Sequence, residues 1–308
     1  MKVAVTGATG FVGSRLVERL QAEGHTVTVL TRNADKGRKV FPTIAFPNVE
    51  VVAYTPSQSG EWQTAIAGCD GVVNLAGEPI AESRWTLSRK QAILDSRKIV
   101  TQKIIEAISK ADSKPTVLVN ASAIGYYGDS ETEIFDETSP PVAADFLSQV
   151  CQAWETEAQK VEEAGVRLVI LRIGIVLGMG GAISRMLLPF QLYAGGPIGS
   201  GRQWFSWIHR EDLVSLILKA LTDSNLQGVF NATAPNPVRM NELCQALGKV
   251  MNRPSWLPVP DFVIETLLGD GAQVVLKGQK VLPKRTQSIG FQYQYPEVSQ
   301  ALKEIVGQ

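Results

Sequence analysis

Three regularly spaced glycines near the start of the chain constrain its fold more than any other feature. Gly7, Gly10 and Gly13 lie in the segment TGATGFVG, directly after the apolar run 3–5 and at the start of a helical pattern of apolar residues. Glycines in a strand-to-helix turn let backbone N–H groups and the helix N-terminus approach a pyrophosphate. The pattern predicts a dinucleotide-binding strand–turn–helix unit, and the alternative is a glycine turn with a purely structural role.

Short apolar runs alternate with longer helical patterns through the first two thirds of the chain. Such alternation favours a parallel sheet with helices on both faces. We therefore predict an α/β fold with a Rossmann-type doubly wound parallel sheet. The predicted strands are 3–5, 27–30, 49–53, 71–75, 117–119 and 166–171, and the long predicted helices are 88–110 and 147–163.

The alternation ends after Gly178, where glycines and prolines become frequent. This change predicts two domains: a nucleotide-binding Rossmann domain at 1–180, and a smaller C-terminal substrate-side domain made of 181–202 and 234–308. Residues 203–233 are predicted to return to the Rossmann domain. The predicted elements in this half are helices at 211–221, 239–251, 262–268 and 296–305 and a strand at 229–231.

The end of the second predicted strand indicates which dinucleotide binds. A carboxylate at this position binds the adenosine ribose hydroxyls and favours NAD. Thr31 and Arg32 stand there instead, and a guanidinium beside the ribose suits the 2′-phosphate of NADP. We therefore predict NADP as the cofactor. The cations that follow, Lys36, Arg38 and Lys39, are more typical of a solvated loop.

The composition argues against several other classes of protein. Thirty Lys and Arg residues balance thirty Asp and Glu residues, so the basic surface that nucleic-acid binding requires is not expected. Two histidines and three widely spaced cysteines match no metal-site or disulfide pattern. No apolar stretch approaches 18 residues, and the N-terminus has no signal-peptide pattern. We predict a cytoplasmic protein with no metal site and no integral membrane segment.

Longer motifs extend over nearly the whole chain. Five are similar to motifs of the short-chain dehydrogenase/reductase superfamily in its extended, epimerase-like form: TGATGFVG (6–13), NLAG (74–77), SAIGYYG (122–128), LRIGIVLG (171–178) and WIHREDL (207–213). Two others, GEPI (77–80) and GQKVLPKR (278–285), resemble the atypical epimerase family 39U group. The resemblance implies an NADP-binding, epimerase-like oxidoreductase with a small-molecule substrate. Because cyanobacterial and plastid relatives are linked to division, it also implies a protein partner in cell or plastid division as a hypothesis.

The acid/base pair of typical superfamily members has no counterpart in this sequence. The resemblance places a Tyr-x-x-x-Lys pair at the start of the helix before LRIGIVLG, where the lysine lowers the pKa of the tyrosine. At this offset Phe146 is followed by Val150, and Leu147 is followed by Cys151. Neither combination can move a proton. The alternative to an oxidoreductase is therefore a non-catalytic NADP sensor or scaffold.

Three residues are candidates for the chemistry in place of that pair. Glu78 follows the fourth predicted strand, where ligands bind in open α/β sheets, and Arg97 shares a helix face with Ile93. A buried Arg97 must meet an anion, which is either a protein carboxylate such as Glu78 or a substrate group. Ser122 is one residue from the superfamily's hydroxyl position, so it faces the other side of its strand unless a bulge intervenes. Tyr127 is interpreted as a packing residue.

The resemblance also assigns residues to ligand binding. Arg202 lies in a segment similar to the one that holds the nucleotide or acidic part of sugar-epimerase substrates, and its guanidinium suits a phosphate or carboxylate. The predicted cofactor-binding residues are Gly7, Thr9, Gly10, Phe11, Val12, Gly13, Thr31, Arg32, Leu75, Ala76, Gly77, Glu78 and Arg84.

Overall fold

The computed structural model describes residues 1–142 and 145–307. In this part of the chain the strands, numbered β1 to β13, are Lys2–Thr6, Thr26–Thr31, Val49–Ala53, Gly71–Asn74, Val117–Ala123, Ile134–Phe135, Arg167–Ile173, Ile175–Leu177, Trp204–Phe205, Trp207–His209, Gly228–Ala232, Val238–Arg239 and Lys280–Val281. The α-helices, numbered α1 to α11, are Phe11–Ala22, Ala34–Val40, Leu87–Lys110, Phe146–Gln159, Ala182–Gln191, Arg210–Thr222, Met240–Met251, Asp261–Leu268, Gln273–Leu276, Lys284–Ser288 and Val298–Gly307.

The central sheet has seven strands in the order β11-β7-β5-β4-β1-β2-β3, and each neighbouring pair is parallel. The predicted α/β fold with a doubly wound parallel sheet is therefore confirmed. Val3, Val27 and Val119 are completely buried, as expected for strands that are covered by helices on both faces.

Two hydrophobic cores lie on opposite faces of the sheet. On one face, Leu16 of α1 and Leu213 of α6 pack in the same core as Val119 of β5. On the other face, Ile104 of α3 packs in the same core as Leu118, the neighbour of Val119 on β5. Because successive side chains of a strand point to opposite faces, β5 anchors both layers of helices.

The strand order reverses between β1 and β4, and this reversal creates a crevice at the carboxyl ends of the two strands. From β1 the chain continues to β2 and β3 on one side, whereas β4 is followed by β5, β7 and β11 on the other. Thr6 at the end of β1 is in register with Asn74 at the end of β4. The glycine turn and the NLAG motif therefore meet at the place where open α/β sheets bind their ligands.

The second half of the chain contributes to the central sheet and to a separate core. β11 pairs with β7 at the edge of the sheet, and α6 packs against α1. Helices α5, α7 and α11 instead pack around a third core that includes Trp207 and Leu247. The domain ranges drawn from the sequence stay a prediction, and their residues 143, 144 and 308 lie outside the described residues.

Some helices differ from the sequence prediction. α2 occupies the segment that was predicted to be a solvated basic loop, where the Asn33 side chain caps the helix by accepting a hydrogen bond from the N–H of Lys36. α5 lies in the glycine-rich region that predicted no element. The predicted helix 147–163 is α4 followed by a 3₁₀-helix, Lys160–Ala164. Capping and tertiary packing outweigh composition in these short segments.

Candidate cofactor and substrate site

The glycine turn after β1 leaves no room for a side chain at two positions. Gly7 has a φ of +69°, and a Cβ there would lie 2.7 Å from the carbonyl carbon of Leu75. A Cβ on Gly13 would lie 2.3 Å from the carbonyl oxygen of Gly7. Gly10 is the N-cap of α1, so the unpaired N–H groups of the first helical turn lie beside the crevice. A pyrophosphate fits this arrangement of backbone donors.

Gly13→Ala is expected to weaken NADPH binding by about tenfold or more, because the added methyl group overlaps a backbone oxygen and must displace the turn or the helix. Titration of NADPH fluorescence measures the affinity, and a thermal melt checks the fold. The matched control is Gly307→Ala, because a Cβ on this helical glycine meets no atom within 4 Å. Unchanged NADPH affinity in Gly13→Ala would show that the turn does not hold the cofactor.

Two arginines flank the Glu78 carboxylate beside the crevice. Arg32 Nη1 lies 2.8 Å from Glu78 Oε1, and Arg89 Nη1 lies 3.0 Å from Glu78 Oε2. The Arg32 hydrogen bond, followed by that of Arg89, lowers the pKa of Glu78. The Arg32 side chain is 72% exposed, so a ligand can reach it. The sequence analysis missed Arg89, which belongs to no motif and is positioned by the first turn of α3.

The other predicted cofactor residues surround the same crevice. Thr9 lies in the glycine turn, and Thr31 ends β2. The backbone nitrogen of Ala76 would lie 3.0 Å from a Cβ at Gly7, and Gly77 is the next residue in the chain. The turn after β1 and the segment after β4 are therefore in direct contact.

A cavity of about 550 Å³ extends from the glycine turn to the C-terminal part of the chain. The C-terminal contribution comes from α9 and the residues after it, including Gln273, Lys277 and Gln279. The predicted site residues that line the cavity are Gly7, Gly10, Phe11, Val12, Gly13, Leu75, Arg97 and Ser122. The cavity therefore connects the dinucleotide turn with two of the three candidate chemical residues.

Eight predicted binding residues lie outside the lining of this cavity: Thr9, Thr31, Arg32, Ala76, Gly77, Glu78, Arg84 and Arg202. The Arg84 guanidinium donates a hydrogen bond to the carbonyl oxygen of Thr266 at 2.7 Å. The Arg202 side chain is 73% exposed, and its Nε lies 3.9 Å from a carboxylate oxygen of Glu131. The fold does not bring either guanidinium to the cavity wall, and their ligand contacts stay predictions.

A buried ion pair holds the Ser122 hydroxyl group. Ser122 Oγ donates to Glu155 Oε1 at 2.6 Å, and Arg172 donates to the two Glu155 oxygens at 2.8 and 2.9 Å. None of these three residues is more than 4% exposed. In the sequence, Glu155 and Arg172 are charged residues within the apolar patterns of α4 and β7. This was their only signal, and neither was predicted as a site residue.

Ser122 reaches the cavity without the bulge that the sequence analysis considered. β5 keeps a continuous register with β7 from Val117 to Ala123, and Ser122 is paired with Arg172. Ala121, Ser122 and Ala123 all line the cavity, because the strand ends there and both of its faces border the open space.

Tyr127 lies in the same buried network but not on the cavity wall. Its hydroxyl group donates to Asn231 Oδ1 at 2.7 Å and accepts a hydrogen bond from Arg172 Nη1 at 3.1 Å. Burial raises the pKa of Tyr127 to about 12. These contacts fit a structural role, because an acid/base group needs a pKa near the working pH.

The face of α4 that borders the cavity is apolar. Leu147, Val150, Cys151 and Trp154 line the cavity at helical spacing. Burial raises the pKa of Cys151 to about 12, so this thiol is protonated at neutral pH. Leu147 and Cys151, one of the two pairs at the offset where the resemblance places a tyrosine and a lysine, therefore present a hydrocarbon and a neutral thiol.

Residues 3–232 match the model of the NAD dependent epimerase/dehydratase family. The chain belongs to this family. Residues 259–305 match a second model, described as a domain of unknown function, DUF1731. The epimerase family protein SDR39U1 homolog, chloroplastic, of Arabidopsis thaliana is 52% identical, over 99% of this chain and 87% of the relative. Human epimerase family protein SDR39U1 is 39% identical, over 99% of this chain and 100% of the relative.

Solved structures share the fold. The crystal structure of human SDR39U1 (isoform 2) with NADPH superposes with a TM-score of 0.87 at 38% identity and covers 100% of both chains. UDP-glucuronic acid 4-epimerase from Bacillus cereus, in complex with UDP-glucuronic acid and NAD, gives a TM-score of 0.81 at 18% identity, covering 100% of this chain and 98% of the other. At that identity the likeness concerns the fold alone.

Membrane-spanning helices and metal-binding clusters are both absent from residues 1–142 and 145–307. Within these ranges no helix has the length and apolar character needed to cross a membrane. The same part of the chain contains no group of three or more His, Cys, Asp or Glu side chains that could hold a metal ion.

Proposed function

We propose that this protein is an NADP(H)-dependent oxidoreductase that acts on a small molecule without the usual Tyr-x-x-x-Lys pair. The observation that carries the proposal is the cavity that extends from the glycine turn to Ser122. The buried partner of Ser122 is Glu155. The human relative that was crystallised with NADPH supports the choice of cofactor. The turn fits a pyrophosphate because Gly7 and Gly13 leave its backbone donors uncovered.

The arginines around Glu78 favour NADP over NAD. No carboxylate ends β2, where an NAD-specific site would bind the ribose hydroxyls. Arg32 is instead exposed at this point, and Arg89 contacts the other carboxylate oxygen of Glu78. Either guanidinium can exchange its contact with the Glu78 carboxylate for a charge-assisted hydrogen bond to the 2′-phosphate.

Arg32→Ala is expected to weaken NADPH binding by about ten- to a hundredfold, which corresponds to the roughly 1.5–3 kcal/mol of a hydrogen bond to a charged group. NADH affinity should change little, because NADH has no 2′-phosphate. Parallel titrations of both cofactors measure the effect. Lys36→Ala, which removes a neighbouring cation on α2, is the matched control. Equal affinity of the parent protein for NADPH and NADH would contradict the assignment.

Ser122 and Glu155 are the residues that we assign to proton transfer. When bound, NADP(H) supplies or accepts the hydride. For an alcohol substrate, Ser122 Oγ accepts the proton of the substrate hydroxyl while its own proton passes to the Glu155 carboxylate, 2.6 Å away. Carbonyl reduction returns the proton along the same path in the opposite direction. Arg172 keeps the Glu155 carboxylate oriented through two hydrogen bonds.

A turnover screen tests the proposal. NADPH oxidation is followed with a panel of aldehydes, ketones and oxo acids, and NADPH binding is measured on the same samples. Carbonyl-dependent oxidation of NADPH supports an oxidoreductase. Tight NADPH binding without turnover on any carbonyl class would instead support a non-catalytic sensor or scaffold, a candidate that the apolar cavity face of α4 favours. The division partner and the cytoplasmic location implied at the sequence level stay predictions.

A further inference from the structure

We propose that Arg97 binds the carboxylate group of the small-molecule ligand, so that the substrates are carboxylic acids. The inference rests on the proposed function, because a bound carboxylic acid is a substrate only if the protein is an oxidoreductase. Its starting point is Arg97, a cation on the cavity wall that forms no ion pair with a carboxylate of the described residues. Arg97 lies on α3 and borders the cavity together with Leu147, Cys151 and Trp154 of α4.

The protein uses only part of the hydrogen-bonding capacity of Arg97. Its Nη1 donates to the carbonyl oxygen of Ile93 at 3.1 Å and to Ser96 Oγ at 3.4 Å, and its Nη2 donates to the carbonyl oxygen of Glu78 at 3.2 Å. A guanidinium has five N–H donors. Three are occupied by neutral acceptors, which leaves two donors for an anion that enters the cavity.

In the described ranges, no carboxylate lies within 4 Å of the Arg97 guanidinium. The Glu78 carboxylate, the protein partner suggested by the sequence, pairs with Arg32 and Arg89 instead, and only the Glu78 backbone reaches Arg97. Burial lowers the pKa of Arg97, in agreement with a cation that lacks a protein counterion. Because an unpaired buried charge is destabilising, the site is suited to an anionic ligand.

Neighbouring groups hold the guanidinium in a fixed plane. A Cβ on Gly77 would lie 3.0 Å from Arg97 Cζ, so the backbone of Gly77 packs directly on the guanidinium. The Trp154 ring centre lies 5.3 Å from the same carbon atom. A guanidinium that is oriented before binding loses little freedom when it binds a carboxylate.

The other charged groups on the cavity wall have partners within the protein. Lys277 Nζ lies 3.3 Å from Asp129 Oδ1. The Asp145 carboxylate caps α4 by accepting a hydrogen bond from the N–H of Ser148 at 2.8 Å. Since the remaining wall includes apolar side chains such as Ile80, the cavity suits a ligand with one anionic end and a carbon skeleton.

The test uses butyrate as a small monocarboxylate and butyramide as its uncharged counterpart. Both are titrated by calorimetry into the protein saturated with NADP⁺, and inorganic phosphate is titrated as a second anion. We expect butyrate to bind about tenfold or more tightly than butyramide and phosphate. Arg97→Met should remove this preference, whereas Arg97→Lys should keep part of it because the charge is retained. Arg19→Met, which removes an arginine paired with Glu23 outside the cavity lining, is the matched control.

Several outcomes would overturn the proposal. Equal binding of butyrate and butyramide to the parent protein would show that the cavity has no anion site, and this comparison needs no variant. Tighter binding of phosphate would assign the site to a different anion. A loss of NADPH affinity in Arg97→Met as large as the loss of butyrate affinity would assign Arg97 to the cofactor. The result is independent of turnover, so failure of the proposed oxidoreductase function is seen separately in the carbonyl screen.

Discussion

Replacing Glu155 with glutamine is expected to destabilise the folded protein by about 3–5 kcal/mol, because the change leaves the buried Arg172 guanidinium without its counterion. The two side chains are each 5% exposed and are joined by two hydrogen bonds. The midpoint of urea-induced unfolding measures the change. Glu23→Gln is the matched control, since Glu23 pairs with Arg19 on the surface and such pairs contribute less than about 1 kcal/mol.

A double variant separates the loss of the ion pair from the loss of packing. In Glu155→Gln/Arg172→Met no unpaired charge remains buried, so the double variant should be less destabilised than the sum of the two single variants. Additive effects would mean that the two groups do not act as a pair. A Glu155→Gln protein as stable as the parent would contradict the placement of the carboxylate.

Ser122→Ala should reduce turnover by about 10²–10⁴-fold, the range expected when a general acid/base group is removed. The physical reason is that Ser122 lines the cavity and donates its hydroxyl hydrogen bond to Glu155. NADPH affinity should stay within about threefold of the parent value, because the predicted cofactor contacts lie in the glycine turn and around Glu78. Steady-state kinetics with the best carbonyl substrate of the screen provides the measurement.

Tyr127→Phe is the control for this prediction. Tyr127 lies in the same network, but burial raises its pKa to about 12, and it does not line the cavity. Its loss should therefore reduce turnover by less than about tenfold. If Tyr127→Phe removes activity and Ser122→Ala does not, the proton path runs through the tyrosine and the assignment of Ser122 is wrong.

The cofactor crevice continues into a cavity whose apolar and polar wall groups come from different elements. Leu147 and Cys151 lie on the α4 face that lines the cavity, where the resemblance predicts a tyrosine and a lysine in typical superfamily members. Polar groups approach the cavity from other elements instead, with Ser122 on β5 and Arg97 on α3. A ligand in this cavity would therefore be oriented by groups on β5 and α3.

The sequence by itself determined the fold class and the location of the crevice. The glycine turn and the alternation of apolar runs with helical patterns are local features, and each of them acts through residues that are near neighbours in the chain. The position of Arg32 is also a local feature, because Arg32 directly follows Thr31, the last residue of β2. Helix spacing also correctly placed Arg97 on the same side of α3 as the buried Ile93.

Only the tertiary structure decided the partners of these residues. Ser122 and Glu155 are 33 positions apart, and their contact depends on how α4 packs against β5. Arg97 and Glu78 were a plausible ion pair in the sequence, yet the Glu78 carboxylate pairs with Arg32 and Arg89 instead. Competition among charges depends on distances in three dimensions, and these are set by the packing of helices on the sheet rather than by any local pattern.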